Sequence, residues 1–396
     1  MARCAPLGKM VPVSESAQVQ SASVSPNSPA APGSRSGRAD PSASLAERFP
    51  GLVCDLDGVV YRGAQAVPHA VDSLDAAIAA GARVVYATNN ASRPPAVVAD
   101  TLRGLGLAAG ADDVLTSSIA GARTVAARLS AGATVLAIGG AGVADALTAA
   151  GLRVVRPTEV RALAGAEDDA RTSEDAPVGA VLQGYGPEVT AADLAEAAYA
   201  IQGGATWVVT NDDLTLPTDR GVAPGNGSLV GAVRVAVGVD PVVVGKPGPL
   251  LYELAAETLG TDPEHTLGIG DRLETDIAGA HAAGMSALHV LTGVHGPAEL
   301  VRAEPALRPR FVAADLRALG APYIEPSRRL DGSWMVGDQV ATGRGSGAEF
   351  AVRFDGGAAA DDWIVRLRLA LCILWEAQDA GKLSGDEAVA ALPERR

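Results

Sequence analysis

The 396-residue sequence predicts an α/β protein: a core built on a parallel sheet, a large α/β domain inserted into that core, and a small α+β domain at the C-terminus. Three observations predict this. From Phe49 onward, strand-length apolar runs alternate with Ala/Leu-rich stretches of helical length, the pattern of parallel strands joined by crossover helices. The interval between the run ending at Thr88 and the run ending at Lys246 is far longer than one crossover needs and holds four strand-like runs of its own. After Pro326 the alternation stops and Gly-punctuated, strand-like sequence takes over.

In chain order, residues 1–45 are rich in Ser, Pro and Ala, as in SASVSPNSPAAPGSRSG. Such a segment buries too little apolar surface to offset chain entropy, so a disordered tail is expected. Residues 46–130 and 241–324 form the expected core, with strands at LVCD, RVVYATN, DVLTSS, PVVVGK and TLGIGD and helices such as AVDSLDAAIAAG and LLYELAAETLG. Residues 131–240 form the inserted domain, with strands at ATVLAIGG, LRVVRP, AVLQGY and TWVVTND. Within it GAEDDARTSEDAP, residues 165–177, has no apolar face and reads as a solvated acidic loop. Residues 325–396 read as two strands around a Gly-rich turn, SWMVGDQVATGRGSGAEFAVRFDGG, then an amphipathic helix, DDWIVRLRLALCILWEAQDAG. A unit of about seventy residues is marginal alone and is expected to dock on the main body.

Composition narrows the function. A net charge of -14 and a pI of about 4.8 argue against a nucleic acid or an anionic membrane as the main partner. A phosphorylated small molecule remains compatible, because local donors or a metal bind phosphate inside an acidic protein. Cys4, Cys54 and Cys372 are far apart and form no CxxC pair, so neither a zinc ribbon nor a disulfide framework is indicated and a reducing cytosol is expected. The N-terminus has no apolar core of a signal peptide. The best membrane candidate, WIVRLRLALCILW, is short of the ~18 residues a span requires and carries Arg366 and Arg368. The expected setting is therefore cytoplasmic, without membrane or nucleic-acid partner, and compatible with a homodimer.

Four apolar runs end in residues that can do chemistry: Asp55, Thr88 (followed by Asn89 and Asn90), Lys246 and Asp271. Ligands of an open parallel sheet bind at the carboxyl ends of its strands, so the four should converge. Singly, each has a plain explanation as a turn former or helix cap. Lys246 resists it, because the Arg-rich chain has three lysines, Lys9, Lys246 and Lys382, and an ammonium suits a site too tight for a planar guanidinium. The histidines at 69, 265, 281, 289 and 295 show no metal-ligand spacing. IGGAGVADAL has Asp145 where a dinucleotide loop would have its third glycine and reads as a structural turn; GRGSGAEF lacks the lysine of a phosphate-binding loop.

Together, Asp-x-Asp-Gly, Thr-Asn-Asn, Gly-Lys-Pro and GDRLETD resemble the haloacid dehalogenase-like hydrolases, which are mostly phosphatases. DLDGVVYRG, ATNNASRPP, TNDDLTLPTDRG, VVGKPGPLLYELA and GDRLETDIAGAHAAGM are similar to the large-cap subfamily within it: p-nitrophenyl phosphatases, phosphoglycolate phosphatases, NagD-like nucleotidases and, nearest, actinobacterial glycerol-3-phosphate phosphatases. The likeness covers residues 50 to 320 and neither tail. It implies a Rossmann-like core and a specificity-giving cap. It implies a magnesium ion held by the Asp55 carboxylate, the Asp57 backbone carbonyl and Asp271, with Asp276 behind them.

The chemistry is consistent with this likeness. Phosphate monoesters hydrolyse very slowly, and a carboxylate nucleophile splits the step. Strand periodicity puts Asp55 and Asp57 on one side of the chain, as nucleophile and as proton carrier. Two carboxylates facing a phosphate dianion call for a hard cation, and Mg²⁺ fits. Thr88, Asn89 and Asn90 are expected to donate to the phosphoryl group and Lys246 to neutralise it. In the cap, Tyr185, Asn211 and Asp213 are expected to read the substrate, although Gly186 stands where relatives carry an acidic residue. The expected substrate is a small phosphorylated metabolite, glycerol 3-phosphate first, with phosphoglycolate, p-nitrophenyl phosphate and nucleoside monophosphates as alternatives. A phosphotransferase using the same site is the competing activity.

Overall fold

The computed structural model describes residues 43–164, 177–218, 220–356 and 362–394. The expected tail up to residue 42 and most of the acidic loop, residues 165–176, lie outside them. Helix α1 (Leu45–Arg48) is followed by β1 (Gly51–Cys54), the hairpin β2 (Tyr61–Arg62) and β3 (Gln65–Ala66), α2 (Ala70–Ala79), β4 (Arg83–Thr88), α3 (Pro95–Gly104), β5 (Val114–Thr116) and α4 (Ser117–Ala126). Next come β6 (Thr134–Ile138), α5 (Ala141–Ala149), β7 (Arg153–Val155), α6 (Pro157–Ala164), β8 (Ala180–Gln183), α7 (Ala191–Gln202), β9 (Thr206–Val209), the hairpin β10 (Thr215–Thr218) and β11 (Gly221–Pro224), α8 (Asn226–Val237) and β12 (Val242–Val243). The chain continues through α9 (Leu250–Leu259), β13 (Thr266–Gly270), α10 (Ala278–Ala282), β14 (Ser286–Val290), α11 (Pro297–Arg302) and β15 (Phe311–Ala313). It ends with β16 (Ser327–Arg328), β17 (Trp334–Val336), β18 (Gln339–Arg344), β19 (Ala351–Asp355), α12 (Trp363–Asp379) and α13 (Gly385–Ala390).

The first sheet is six-stranded and parallel, in the order β15-β14-β13-β1-β4-β5. β1 and β13 are buried along their whole length, as the unbroken apolar runs of central parallel strands require. Register sets the site: Cys54 pairs with Ile269 on one side and Tyr86 on the other. Asp55, Thr88 and Asp271 therefore emerge at nearly one level of the carboxyl edge. A second parallel sheet, order β12-β9-β8-β6-β7, is built from Thr134 to Val243. One apolar cluster runs from Val53 and Val85 of the first sheet through Val135 and Leu182 of the second to Leu367 and Leu371 of α12. No helix among the described residues is long and apolar enough to cross a membrane.

Three expectations change. The PVVVGK strand does not join the core sheet: β12 pairs with β9, so Lys246 is delivered from the edge of the second sheet. The core sheet gains β14 and β15, which the apolar-run reading missed; β14 carries the buried His289 in its midst and β15 is three residues long. The C-terminal unit is a four-stranded antiparallel sheet, β16-β17-β18-β19, with two helices, rather than two strands and one helix.

The glycines of IGGAG seat one sheet on the other. Gly142 N donates to Ser92 O at 3.1 Å, and a Cβ on Gly140 would lie 2.4 Å from that same carbonyl. Gly186 belongs to the same contact: a Cβ there would come within 2.7 Å of Gly139 C and Gly140 N. No side chain fits at 186 while the IGG turn packs there, a physical reason for the missing acidic residue.

Candidate active site

Asp55 follows the last residue of β1, and its N–H continues the ladder to Ile269 O at 2.9 Å. Lys246 Nζ donates to Asp55 Oδ1 at 2.5 Å and to Asp276 Oδ1 at 2.9 Å, with the lysine 3% exposed. Burial alone would lower the Lys246 pKa, but Asp276 and Asp55 outweigh it and hold it well above its ordinary value. Burial raises the Asp55 pKa, and Lys246 pulls it back.

Asp276 returns to the site through a wide π-type turn, Leu273–Ile277. Its Oδ2 accepts the N–H groups of Asp271 (3.3 Å) and Arg272 (3.1 Å), so both its oxygens are committed to the protein. Asp271 differs. Its Oδ2 accepts Val294 N–H at 2.6 Å, whereas its buried Oδ1 has no hydrogen-bond partner. Burial, then Asp276, push the Asp271 pKa up to about 6. Carboxylate oxygens of Asp55, Asp271 and Asp276 lie within 4.8 Å of one another. An all-oxygen, acceptor-only set with an orphaned buried oxygen fits a hard divalent cation. The Asp57 carboxylate stands apart from this group and opens on the cleft. Desolvation by the cleft walls raises its pKa, opposed first by Arg93 and then by Lys246.

Asparagine amides tie the two sheets together here. Asn226 Nδ2 donates to Asn211 O (2.7 Å), Asn211 Nδ2 to Asn89 O (2.7 Å) and Asn89 Nδ2 to Lys246 O (3.1 Å). Asn89 Oδ1 also accepts Lys246 N–H at 2.8 Å, so the Asn89 side chain clamps the lysine backbone from both sides. The Asn211 amide donates to Asn89 O and its Oδ1 accepts Asp213 N–H, so Asn211 ties the two sheets together as well as lining the cavity. Asn90 Oδ1 accepts the N–H and Oγ–H of Ser92, shaping the turn, while Thr88 Oγ1 accepts Asn90 N–H at 3.1 Å.

A cavity of about 430 Å³ opens above these residues. Asp55, Asp57, Thr88, Asn89, Asn90 and Lys246 line it on the first-sheet side, and Tyr185, Asn211, Asp213, Thr215, Leu216 and Thr218 line it on the other. Asp213 Oδ2 accepts Asn89 Nδ2–H at 3.3 Å, and burial raises its pKa against the pull of Asn89, Arg272 and Lys246. Arg93 and Arg272 also line the cleft, and sequence reasoning missed both. Each lies beside a motif that was read, in ATNNASRPP and GDRLETD, but an Arg-rich chain hides individual arginines.

Comparison with known proteins places the chain among relatives. The family described as Haloacid dehalogenase-like hydrolase matches residues 52–153, and HAD-hydrolase-like matches residues 243–319. A D-glycerol 3-phosphate phosphatase of Mycobacterium tuberculosis is 40% identical over 343 residues, 85% of this chain and 89% of that protein. An acid sugar phosphatase of Staphylococcus aureus is 34% identical over 248 residues, 63% of this chain and 88% of that protein. The crystal structure of a glycerol phosphate phosphatase from M. tuberculosis in complex with magnesium superposes with a TM-score of 0.72 at 38% identity, over 88% of this chain and 98% of that one.

Proposed function

This chain belongs to the haloacid dehalogenase-like hydrolases, and on that premise we propose that it is a Mg²⁺-dependent phosphatase of a small phosphomonoester, glycerol 3-phosphate foremost. The observation that carries the reading is Lys246 bridging Asp55 and Asp276 beside the orphaned Asp271 oxygen, at the floor of a cleft sized for a metabolite. The Asp55 carboxylate, the Asp57 backbone carbonyl and Asp271 would hold the ion, with Asp276 orienting Asp271 and Lys246. When bound, Mg²⁺ offsets the repulsion between the carboxylates and the phosphate dianion.

Asp55 attacks phosphorus, and the ester P–O bond breaks. Asp57 gives its proton to the departing alkoxide, leaving a phosphate on Asp55. The Asp57 carboxylate then takes a proton from water, whose oxygen attacks phosphorus. The Asp55–phosphorus bond breaks and inorganic phosphate leaves. The raised Asp57 pKa suits a group that must be acid first and base second. Thr88, Asn89 and Asn90 line the phosphoryl end, and Lys246 meets the developing charge without reorganising. Asp213, Thr215 and Thr218 add polar atoms to the cavity wall, which favours a hydroxylated leaving group, and Tyr185 lines it with them. Free thiols at Cys54 and Cys372 support a cytosolic setting; a homodimer remains part of the reading. Phosphate release from a panel of small phosphomonoesters, with and without Mg²⁺, is the test. Mg²⁺-dependent release with glycerol 3-phosphate preferred is expected, and a folded, Mg²⁺-supplied protein that releases no phosphate from any ester would overturn the proposal.

A further inference from the structure

The loop from Leu291 to Gly296, between β14 and α11, touches both ends of the proposed chemistry. Thr292 Oγ1 donates to Gly58 O at 2.7 Å, in the turn that follows Asp57. Val294 N–H donates to Asp271 Oδ2 at 2.6 Å and His295 N–H to Asp271 O at 3.2 Å. His295 Nδ1 accepts Leu273 N–H at 3.1 Å. The fit is so close that a Cβ on Gly293 would sit 1.7 Å from Asp271 Oδ2. This loop therefore decides where Asp271 directs its remaining oxygen.

α11 starts directly after the loop and is six residues long. A helix that short has few internal hydrogen bonds, and its last carbonyls depend on groups outside it: Leu300 O accepts the N–H of the capping residue Ala303 at 3.2 Å. Side chains from the C-terminal unit add further donors. Trp375 Nε1 donates to Leu300 O at 2.9 Å and Gln378 Nε2 to Val301 O at 3.1 Å. The two sit three residues apart on α12, one face of one helix. Arg308 Nε takes the carbonyl of Ala303, the residue that caps α11, at 3.1 Å, while its other nitrogens are gripped by Asp379 of α12 at 2.6 and 2.7 Å.

We propose that Trp375 and Gln378 are positioning residues for the phosphatase site: α12 clamps the end of α11, α11 anchors the Leu291–Gly296 loop, and the loop aims Asp271 at its cation. The C-terminal unit is then part of the catalytic assembly at one remove. The inference rests on the reading of Asp271 as a Mg²⁺ ligand.

The test uses the full chain with Trp375→Phe, which keeps an aromatic ring under Arg308, Gln378→Met, which keeps the side chain's length, and the double variant; all remove the donors. Arg328→Ala is the control: it breaks the 2.7 Å pair with Glu376 inside the C-terminal unit and leaves α11 untouched. Mg²⁺ affinity is measured by calorimetry, and phosphate release is followed against Mg²⁺ concentration. Losing a direct support of a ligand weakens metal binding by roughly 10–100-fold, so supports two layers further out should weaken it less, ~3–10-fold in the double variant. The expected split is a raised Mg²⁺ requirement with kcat restored at saturating Mg²⁺, and Arg328→Ala like wild type. Mg²⁺ affinity within about twofold of wild type in the double variant would reduce the contact to simple docking and overturn the inference. Should the double variant not fold, Gln378→Met alone is judged by the same criterion. A wild-type protein that binds no Mg²⁺ would overturn the inference and the cation reading together.

Discussion

The two parallel sheets share an architecture and differ at their carboxyl edges. The first ends in Asp55, Thr88 and Asp271; the second ends in Gly139, Gly184 and the Thr210–Asn211 pair. Edge charge on the first sheet is matched by edge backbone and amides on the second. A parallel sheet determines where an edge lies, and the residues placed on that edge determine what it can do. Lys246 crosses the division. It leaves the second sheet and neutralises the first, so the site is assembled from both.

The comparison is broken most severely by Asp55→Asn, which keeps shape and removes the proposed nucleophile. Turnover should fall by on the order of 10⁴-fold or more, measured as phosphate release with folding checked by circular dichroism. Lys246→Met asks whether the second sheet truly contributes to catalysis. A loss of about 10²–10³-fold in kcat is expected, the size seen when one preorganised charge-stabilising donor is removed; a change under tenfold would return the lysine to a structural role. His289 sharpens the comparison from inside the first sheet. It is fully buried, its Nδ1 has no partner, and burial lowers its pKa to about 4. A depressed folded-state value means stability present above the unfolded pKa of about 6.5 and lost as pH falls through about 4. Roughly 3 kcal/mol is at stake at most. Denaturation midpoints between pH 7 and 4 should drop for the wild type and drop less for His289→Gln. The smallest effect is expected in the second sheet. Gln183 is fully buried and accepts Trp207 Nε1–H at 3.1 Å, while its own Nε2 has no partner. Gln183→Met removes the unpaired Nε2 but leaves the buried Trp207 Nε1–H without its acceptor, so the two changes offset and a net stability change within about 1 kcal/mol is expected from urea unfolding.

Asp55 and Asp271 were legible in the sequence because each sits where a strand stops, and strand ends are read from local pattern. The strand that delivers Lys246 was assigned to the wrong sheet for a related reason. β12 is two residues long, too short for its pattern to say which neighbour it pairs with. The tie that Asn211 makes between the sheets was not legible, because an amide has the same identity whether it faces a ligand or a carbonyl of the next loop; only the 2.7 Å contact to Asn89 O shows it. The α12–α11 clamp was invisible from sequence, since its acceptors are backbone carbonyls that any residue carries.

The asparagine chain from Asn226 to Lys246 has a consequence for the conditions under which the site keeps its shape. Salt screens charges and protons neutralise carboxylates, but neither acts on an amide dipole. The joint that holds the Lys246 backbone between two sheets is made of groups with nothing to screen and nothing to titrate. Ionic strength and acidity act instead on the Asp55 and Asp276 carboxylates that hold its ammonium, so they should alter how strongly this cleft holds its ligands well before they alter where the lysine's backbone stands.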